Sequence, residues 1–352
     1  MTGTVISRIT QFFTVRVDER DILCRPRARL LKEKVQILVG DRVQVSDLDP
    51  VQGTATIAEL EPRRNALPRP AIANVDQVVL VFAAREPLFD PGMLDRFLVL
   101  VSRHGLSPVL VCNKTDLEDP VVLAAHLAPY RALGIPLETV SASTGRLAGL
   151  PALLSGRISV FAGPSGVGKS SLLNALSPGL SLKAARVSER LERGRHTTTH
   201  ASLHEIVLPE GLAMVADTPG YTHLSFDDLL PRELGAHFPE MVPHLGGCRF
   251  PDCLHRSEPD CAVRQGSALA PSRQSSYERF IGELLEAEER RSSQSIREES
   301  AVKHRVGRGG KAVRLVKLDA AVREDSRRVA RQRLASMAID DESDEAPDQV
   351  IE

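Results

Sequence analysis

The sequence predicts a multidomain α/β chain: a small all-β barrel, a parallel sheet with flanking helices, a helical segment closed round a metal, and a disordered tail. Three observations carry that prediction. Between residues 75 and 220, apolar strands alternate with helical stretches, the pattern of a parallel sheet covered on both faces. Residues 1–70 hold short alternating segments separated by Gly, Asp and Pro turns, as a compact barrel requires. Three cysteines, Cys248, Cys253 and Cys261, lie with His255 in one short segment.

Composition sets the outer limits. The chain has 352 residues, enough for two or three domains with real cores. Hydrophobic residues make up 42% and charged residues 26%, and the formal net charge is −1. The whole molecule is therefore no polycation, and any nucleic-acid contact must come from local patches. No apolar run is long enough to span a membrane, and residues 1–5 do not open a secretory signal. The remaining cysteines, Cys24 and Cys112, are isolated. Such clustering argues for a metal site in a reducing compartment rather than a disulfide framework.

In order along the chain, strands are expected over 3–6, 13–17, 42–45 and 53–57. An OB-type barrel is one way to close such a set, and barrels of that kind often hold RNA or DNA. Arg25, Arg27, Arg29, Lys32 and Lys34 cluster in one connection. They read equally well as a phosphate-contacting loop or as solvated charges that protect an edge strand. The stretch 61–70, rich in Pro and Arg, reads as a linker. Beyond it come strand 77–83, helix 93–103, strand 108–112, helix 121–133, strand 136–140, helix 145–154 and strand 158–162. Strand 77–83 is apolar throughout, the mark of burial on both faces. Ligands of such a sheet bind at the carboxyl ends of its strands.

The strongest motif sits at one of those ends. Gly163-Pro164-Ser165-Gly166-Val167-Gly168-Lys169-Ser170 fits G-x-x-x-x-G-K-[ST], between an apolar strand and the helical run that opens at Ser171. Its glycines let backbone N–H groups turn inward round phosphate oxygens, and the helix N-terminus adds positive potential. Lys169 reaches the β- and γ-phosphates and the Ser170 hydroxyl ligates Mg²⁺.

Two more motifs fall at strand ends. Asn113-Lys114-Thr115-Asp116 fits N-K-x-D. A carboxylate at Asp116 accepts from guanine N1–H and the 2-amino group, a donor pair that adenine lacks. Ser141-Ala142-Ser143 stands where GTPases present loop backbone to the guanine carbonyl. After the apolar strand 212–216, Asp217-Thr218-Pro219-Gly220 fits D-x-x-G. Asp217 would hold Mg²⁺ through water and the Gly220 N–H would meet the γ-phosphate. One threonine of Thr197-Thr198-Thr199 should complete the Mg²⁺ shell, with Thr199 preferred and Thr198 open. The usual order of these parts starts with the phosphate loop. Here N-K-T-D and S-A-S come first, which describes a circular permutation. The segment after Gly220 then leads out of the domain, so a switch movement there would pull on the residues C-terminal to it.

Those residues include the spacing C-x4-C-x-H-x5-C over Cys248, Cys253, His255 and Cys261. Three thiolates and an imidazole make a closed tetrahedral set, which favours one structural zinc ion. An amphipathic helix is expected over 275–290. From about residue 292 apolar periodicity fades. A basic stretch, 303–334, precedes an acidic end, 340–352, and reads as a disordered or partly helical tail.

Taken together, these residues resemble the small-ribosomal-subunit-dependent GTPases of the RsgA (YjeQ) family. The matching features are Arg63-Arg64-Asn65-x-Leu67-x-Arg69-Pro70, Ala73-Asn74-Val75-Asp76, Asn113 to Asp116, Gly163 to Ser171, Gly194-Arg195-His196-Thr197-Thr198-Thr199, Asp217 to Gly220 and the Cys248 to Cys261 segment. The resemblance covers roughly residues 3–290 and says nothing of the tail. It implies an OB barrel over 1–70, a circularly permuted P-loop GTPase domain over 71–225, a helical zinc domain over 226–291 and the tail over 292–352. It also implies GTP hydrolysis stimulated by the small (30S) ribosomal subunit, rRNA contact and a role in late subunit maturation. The expected ligands are GTP or GDP with Mg²⁺ and one Zn²⁺, in a cytoplasmic monomer with no membrane partner. The alternative is a nucleotide-gated RNA-binding module in which hydrolysis only resets affinity. Tyr221 stands where Ras-type enzymes carry the water-orienting glutamine. His196, whose counterpart in similar proteins holds that role, is the candidate to orient water here.

Overall fold

The computed structural model describes residues 1–49, 51–68, 71–178, 202–217, 226, 229–266, 269–306 and 312–316. The chain divides into two units, Met1–Leu284 and Leu285–Glu352.

The barrel comes first in the larger unit. Strands β1 (Thr2–Ile9), β2 (Phe12–Val17), β3 (Arg20–Pro26), β4 (Arg42–Asp49) and β5 (Thr54–Leu60) pair in the order β1-β2-β3-β5-β4, and β4 returns to β1. All pairs are antiparallel except β3–β5. Closure leaves no open edge. The strands alternate buried and exposed residues, so Val5, Phe13, Val15, Ile22, Cys24, Val43, Val45 and Ile57 share one core. The sequence pattern missed β3 because Leu23, between buried Ile22 and Cys24, is exposed. The basic cluster is thereby divided. Arg25 lies on β3 with its guanidinium 4.5 Å from the Phe12 ring centroid. Arg29, on α1 (Ala28–Lys32), pairs with Glu33 at 2.8 Å.

The stretch read as a linker folds back on itself instead. Strands β6 (Ala66–Pro68) and β7 (Ala71–Ala73) form a small ladder. Arg63 donates to the buried Asp41 carboxylate at 2.6 and 2.9 Å, and Asn65 exchanges two hydrogen bonds with the Val75 backbone. Arg64 reaches Asp76 at 2.8 Å. These charged side chains are spent on fixing the barrel's exit, which composition alone cannot distinguish from solvation.

Strands β8 (Gln77–Ala83), β9 (Ser107–Asn113), β10 (Leu137–Thr139), β11 (Ile158–Ala162) and β13 (Gly211–Asp217) run parallel in the order β10-β9-β8-β11-β13. Strand β12 (Ser202–Leu208) pairs antiparallel with β13 and touches β1 through Ser7 and Ser202. Every residue of β8 is buried, as its apolar run requires. Helices α2 (Pro91–Arg103), α3 (Pro120–Arg131), α4 (Leu150–Leu154) and α5 (Lys169–Leu176) connect the strands. Asp90 and Asp119 cap α2 and α3 by accepting from backbone N–H groups, each ahead of a proline in the first turn. Helix α4 is shorter than the expected 145–154 because Gly145 and Ala148 take left-handed backbone angles, φ 72° and 48°. The chain reaches the phosphate loop only after visiting β8, β9 and β10, so the sheet has the rotated order that the motifs foretold.

Beyond the sheet come 3₁₀ turns at Pro231–His237 and Val242–His244, then α6 (Ala262–Gly266) and α7 (Pro271–Ala301). Arg273, almost wholly buried, ties this part to α2. It donates to Asp95 at 2.6 Å and to Glu240 through two nitrogens, and Tyr130 donates to the same Asp95 oxygen at 3.0 Å. Burial pushes the Asp95 carboxyl up from its ordinary value, and the Arg273 charge opposes that. Arg96 Nη2 also donates to both carboxylate oxygens of Glu283, each at 2.6 Å.

In the smaller unit α7 continues to Ala301, past the fading of apolar periodicity near residue 292, and a hairpin comes after it. Its strands β14 (Val302–Val306) and β15 (Ala312–Val316) pair antiparallel. Residues 317–352 lie outside the described residues. Among the described residues no helix is long and apolar enough to cross a membrane.

Candidate nucleotide and metal sites

The candidate nucleotide site is assembled at the carboxyl ends of four parallel strands. β9 and β8 pair in register up to Asn113 and Ala83, and β8 and β11 up to Leu80 and Ala162. The loops that leave β9, β10 and β11 therefore emerge side by side. Asn113 joins them. Its Nδ2 donates to Val167 O of the phosphate loop at 2.9 Å, and its Oδ1 accepts from Ala142 N at 3.1 Å. One buried amide thus holds N-K-T-D, S-A-S and the phosphate loop in a fixed relation.

Two glycines of the loop are there for space as well as backbone freedom. A Cβ on Gly163 would lie 2.0 Å from Val81 O, and one on Gly168 would lie 2.4 Å from Asn113 Nδ2. Both also take left-handed φ values, 142° and 90°. Gly168 leads directly into α5, whose first turn carries Lys169, Ser170 and Ser171. Lys169 Nζ donates to Gly163 O and Pro164 O, each at 2.7 Å, so its ammonium is folded over the loop. Burial lowers its pKa from the ordinary value. A phosphate held by the loop supplies the negative charge that such a half-buried ammonium needs. Ser165 and Gly166 complete the turn, and Gly166 has φ 80°.

The N-K-T-D end is equally tied. Lys114 takes a left-handed conformation, φ 58°, and its ammonium donates to Glu86 O. Thr115 is buried and donates to Val140 O at 2.9 Å. Asp116 is exposed and accepts from Ser143 Oγ at 3.3 Å. Hydrogen bonding, first from Ser141 and also from Ser143, holds the Asp116 carboxyl below its ordinary pKa, with a smaller contribution from the Arg146 charge. An ionised, acceptor-only group facing solvent beside a phosphate loop suits a base that presents two donors. An apolar cavity of about 190 Å³ lies beside Gly163, Pro164 and Val167, but Lys169, Ser170 and Asp116 do not line it, so it is not the nucleotide pocket.

Asp217 closes β13, where its neighbour Ala216 pairs with Val160 of β11, so it stands close to the start of the phosphate loop. Gly220, His196, Thr197, Thr198 and Thr199 lie outside the described residues. Arg146 was not singled out from the sequence. Its Nη2 donates to Thr115 Oγ1 at 2.8 Å. A basic residue in a polar turn carries no periodic or spacing signal that would have revealed it.

A family model described as RsgA GTPase matches residues 60–227, and one described as RsgA N-terminal domain matches residues 2–55. A protein of Moorella thermoacetica named small ribosomal subunit biogenesis GTPase RsgA is 44% identical over 292 residues, 82% of this chain and 99% of that relative. The chain belongs to the RsgA GTPase family. A Geobacillus thermodenitrificans RsgA is 43% identical over 297 residues, again 82% of this chain and 99% of the relative. Among solved structures, YjeQ from Thermotoga maritima is similar at TM-score 0.69 and 37% identity, covering 81% of this chain and 98% of its own. YloQ, described as a circularly permuted GTPase, is similar at TM-score 0.67 and 36% identity, covering 81% and 95%. Membership of the RsgA family thus agrees with the barrel, the rotated motif order and the cysteine segment.

The candidate metal site of this RsgA-family chain is local. Cys248, Cys253, His255 and Cys261 bring their ligand atoms within 4.8 Å of one another. Tetrahedral zinc with ordinary bond lengths sets S···S near ~3.8 Å and S···N near ~3.5 Å. Here Cys248 Sγ lies 3.8 Å from Cys261 Sγ, and His255 Nδ1 lies 3.5 Å from both. The four donors therefore fit one zinc ion. His255 takes a left-handed backbone conformation, φ 59°, inside a loop braced by Glu258. Burial works against the charge of Glu258, yet backbone donors hold its carboxyl below the ordinary value; Leu254, Arg256 and Ser257 donate at 2.8, 2.7 and 3.0 Å. Tyr277 on α7 donates to Leu254 O at 3.0 Å and so anchors the loop to the long helix.

Proposed function

We propose that this chain binds GTP with Mg²⁺ across the ends of β9, β10, β11 and β13 and hydrolyses it to GDP and phosphate, acting on the small (30S) ribosomal subunit during late maturation. The observation that carries the reading is the Asn113 amide, which welds a phosphate loop to two base-reading loops that the chain delivers in rotated order. In this reading Asp116 accepts from guanine, and the loop from Ser141 and Ala142 presents backbone to the guanine carbonyl. Gly163 to Ser171 wrap the phosphates, and Lys169 offsets charge that develops on the γ-phosphate. Ser170, Asp217 and Thr199 would hold Mg²⁺, which when bound would supply positive charge to offset that of the phosphates. Gly220 would meet the γ-phosphate and His196 would orient the attacking water. Cys248, Cys253, His255 and Cys261 would hold a structural zinc ion that fixes the segment leading into α7.

The names of the RsgA relatives support the ribosomal role, and we place the protein in the cytoplasm as a monomer that contacts rRNA. GTP turnover measured with and without purified 30S subunits tests this. Strong stimulation by 30S, and none by 50S, is expected. Turnover indifferent to both would overturn the assignment of partner. His196→Ala should slow hydrolysis while leaving GTP affinity nearly unchanged, and equal loss of both would remove His196 from its role.

A further inference from the structure

Arg146 faces the guanine-reading turn from a neighbouring loop. That loop closes on itself: Ser141 N donates to Arg146 O at 2.8 Å and Arg146 N donates to Ser141 O at 3.0 Å. The two residues form an isolated antiparallel bridge. The bridge sets the start of the Arg146 side chain, and its guanidinium crosses back to Thr115 Oγ1 at 2.8 Å. Thr115 is the residue immediately before Asp116. Its hydroxyl both accepts from Arg146 and donates to Val140 O at 2.9 Å, while its N–H also meets Val140 O at 3.2 Å. On the other side, Ser141 Oγ contacts Ser143 Oγ at 3.0 Å, and Ser143 Oγ donates to Asp116 Oδ2 at 3.3 Å. The loop from Ser141 to Arg146 therefore grips the turn at Thr115 and at Asp116 at once.

We infer that Arg146 is a positioning residue for guanine selection, holding the Thr115 turn so that the Asp116 carboxylate is aimed to accept both guanine donors. The inference rests on the proposed role of Asp116. A planar guanidinium fixes direction as well as charge, which a methionine of similar length does not supply and a lysine supplies only as a point charge. A misaimed carboxylate keeps one base hydrogen bond more easily than two. Loss of Arg146 should then weaken GDP more than IDP, whose base lacks the 2-amino group.

The test is binding of GDP, IDP and ADP to the full-length protein and to variants, with melting temperature recorded for each. Arg146→Met should weaken GDP about tenfold, as loss of one charge-assisted hydrogen bond at the site implies, and shrink the GDP-over-IDP preference. Arg146→Lys should restore part of that preference. Thr115→Val, which also removes the bond to Val140 O, should weaken GDP at least as much as Arg146→Met, and the double variant should be no worse than Thr115→Val alone, because the Arg146 contact is already lost in it. An unchanged GDP-to-IDP ratio, or simple additivity in the double variant, would overturn the proposal. Asp116→Asn separates the two levels. If it leaves the preference for GDP over ADP intact, the guanine-reading role itself fails. If that preference collapses while Arg146→Met keeps the GDP-to-IDP ratio, only the role of Arg146 fails.

Discussion

The proposed nucleotide site and the candidate metal site are built in opposite ways. The first draws on Asn113, Ala142 and Val167, which meet only because a sheet brings the ends of β9, β10 and β11 to one edge. The second takes all four ligand atoms from one segment of fourteen residues, 248–261, and needs a loop, one bracing carboxylate and an ion. A site of the first kind is as rigid as the core beneath it, and its parts tolerate a rotated chain order because their places in space are unchanged. A site of the second kind stands or falls with its metal. The regions that carry them are joined where Arg273 of α7 reaches Asp95 of α2.

The largest expected break of this contrast is metal removal. Structural zinc contributes about 10–16 kcal/mol of apparent folding free energy in small metal-bound segments. Cys253→Ser, or chelation, should unfold 248–266 while the sheet still binds GDP. Hydrogen exchange of 248–266 alongside GDP titration checks this, and a parallel loss of GDP affinity would show that the sites are not independent. Next is Lys169→Ala, expected to lower GTP turnover by about 10²–10³-fold, the usual cost of removing one transition-state donor, with little change in melting temperature. Turnover within twofold of the parent would contradict the role of that ammonium.

The joint between the regions gives the next effect. Arg273→Met strands the buried Asp95 charge and should cost about 3–5 kcal/mol in denaturant unfolding. Adding Asp95→Asn should recover part of that loss, and no recovery would mean the pair is not the source of the cost.

The smallest effect is on acid sensitivity. The Asp116 carboxyl sits below its ordinary pKa, so its contribution is fully present above that ordinary value and is lost as pH falls through the depressed one. GDP affinity in wild-type protein, relative to Asp116→Asn, should stay level down to about pH 4, the ordinary carboxylate range, and fall only below it. A midpoint near neutral pH would assign the loss to a different group.

Much of both sites was legible because short motifs report their own chemistry. The phosphate loop needs glycine at 163 and 168 for contacts that the sheet imposes, and the sequence shows those glycines. Cys248, Cys253, His255 and Cys261 are readable for the same reason, since their spacing is their geometry. What escaped was decided by tertiary contact. Arg63, Arg64 and Asn65 looked like linker residues, yet Asp41, Asp76 and Val75 await them across the fold. Leu23 hid β3 by facing outward. Helix 145–154 lost its first half to the left-handed residues Gly145 and Ala148, and Arg146 there reaches across to Thr115. Each of these depends on a partner distant in sequence, and no local pattern records it.

The central claim is that these loops converge on a single guanine nucleotide. Hydrogen exchange on the intact protein, with GDP and separately with ADP, tests it most directly. GDP should protect amides over 113–116, 141–146 and 163–171 together, and ADP at the same concentration should not. Protection by GDP confined to 163–171, with the other two stretches unmoved, would contradict the account.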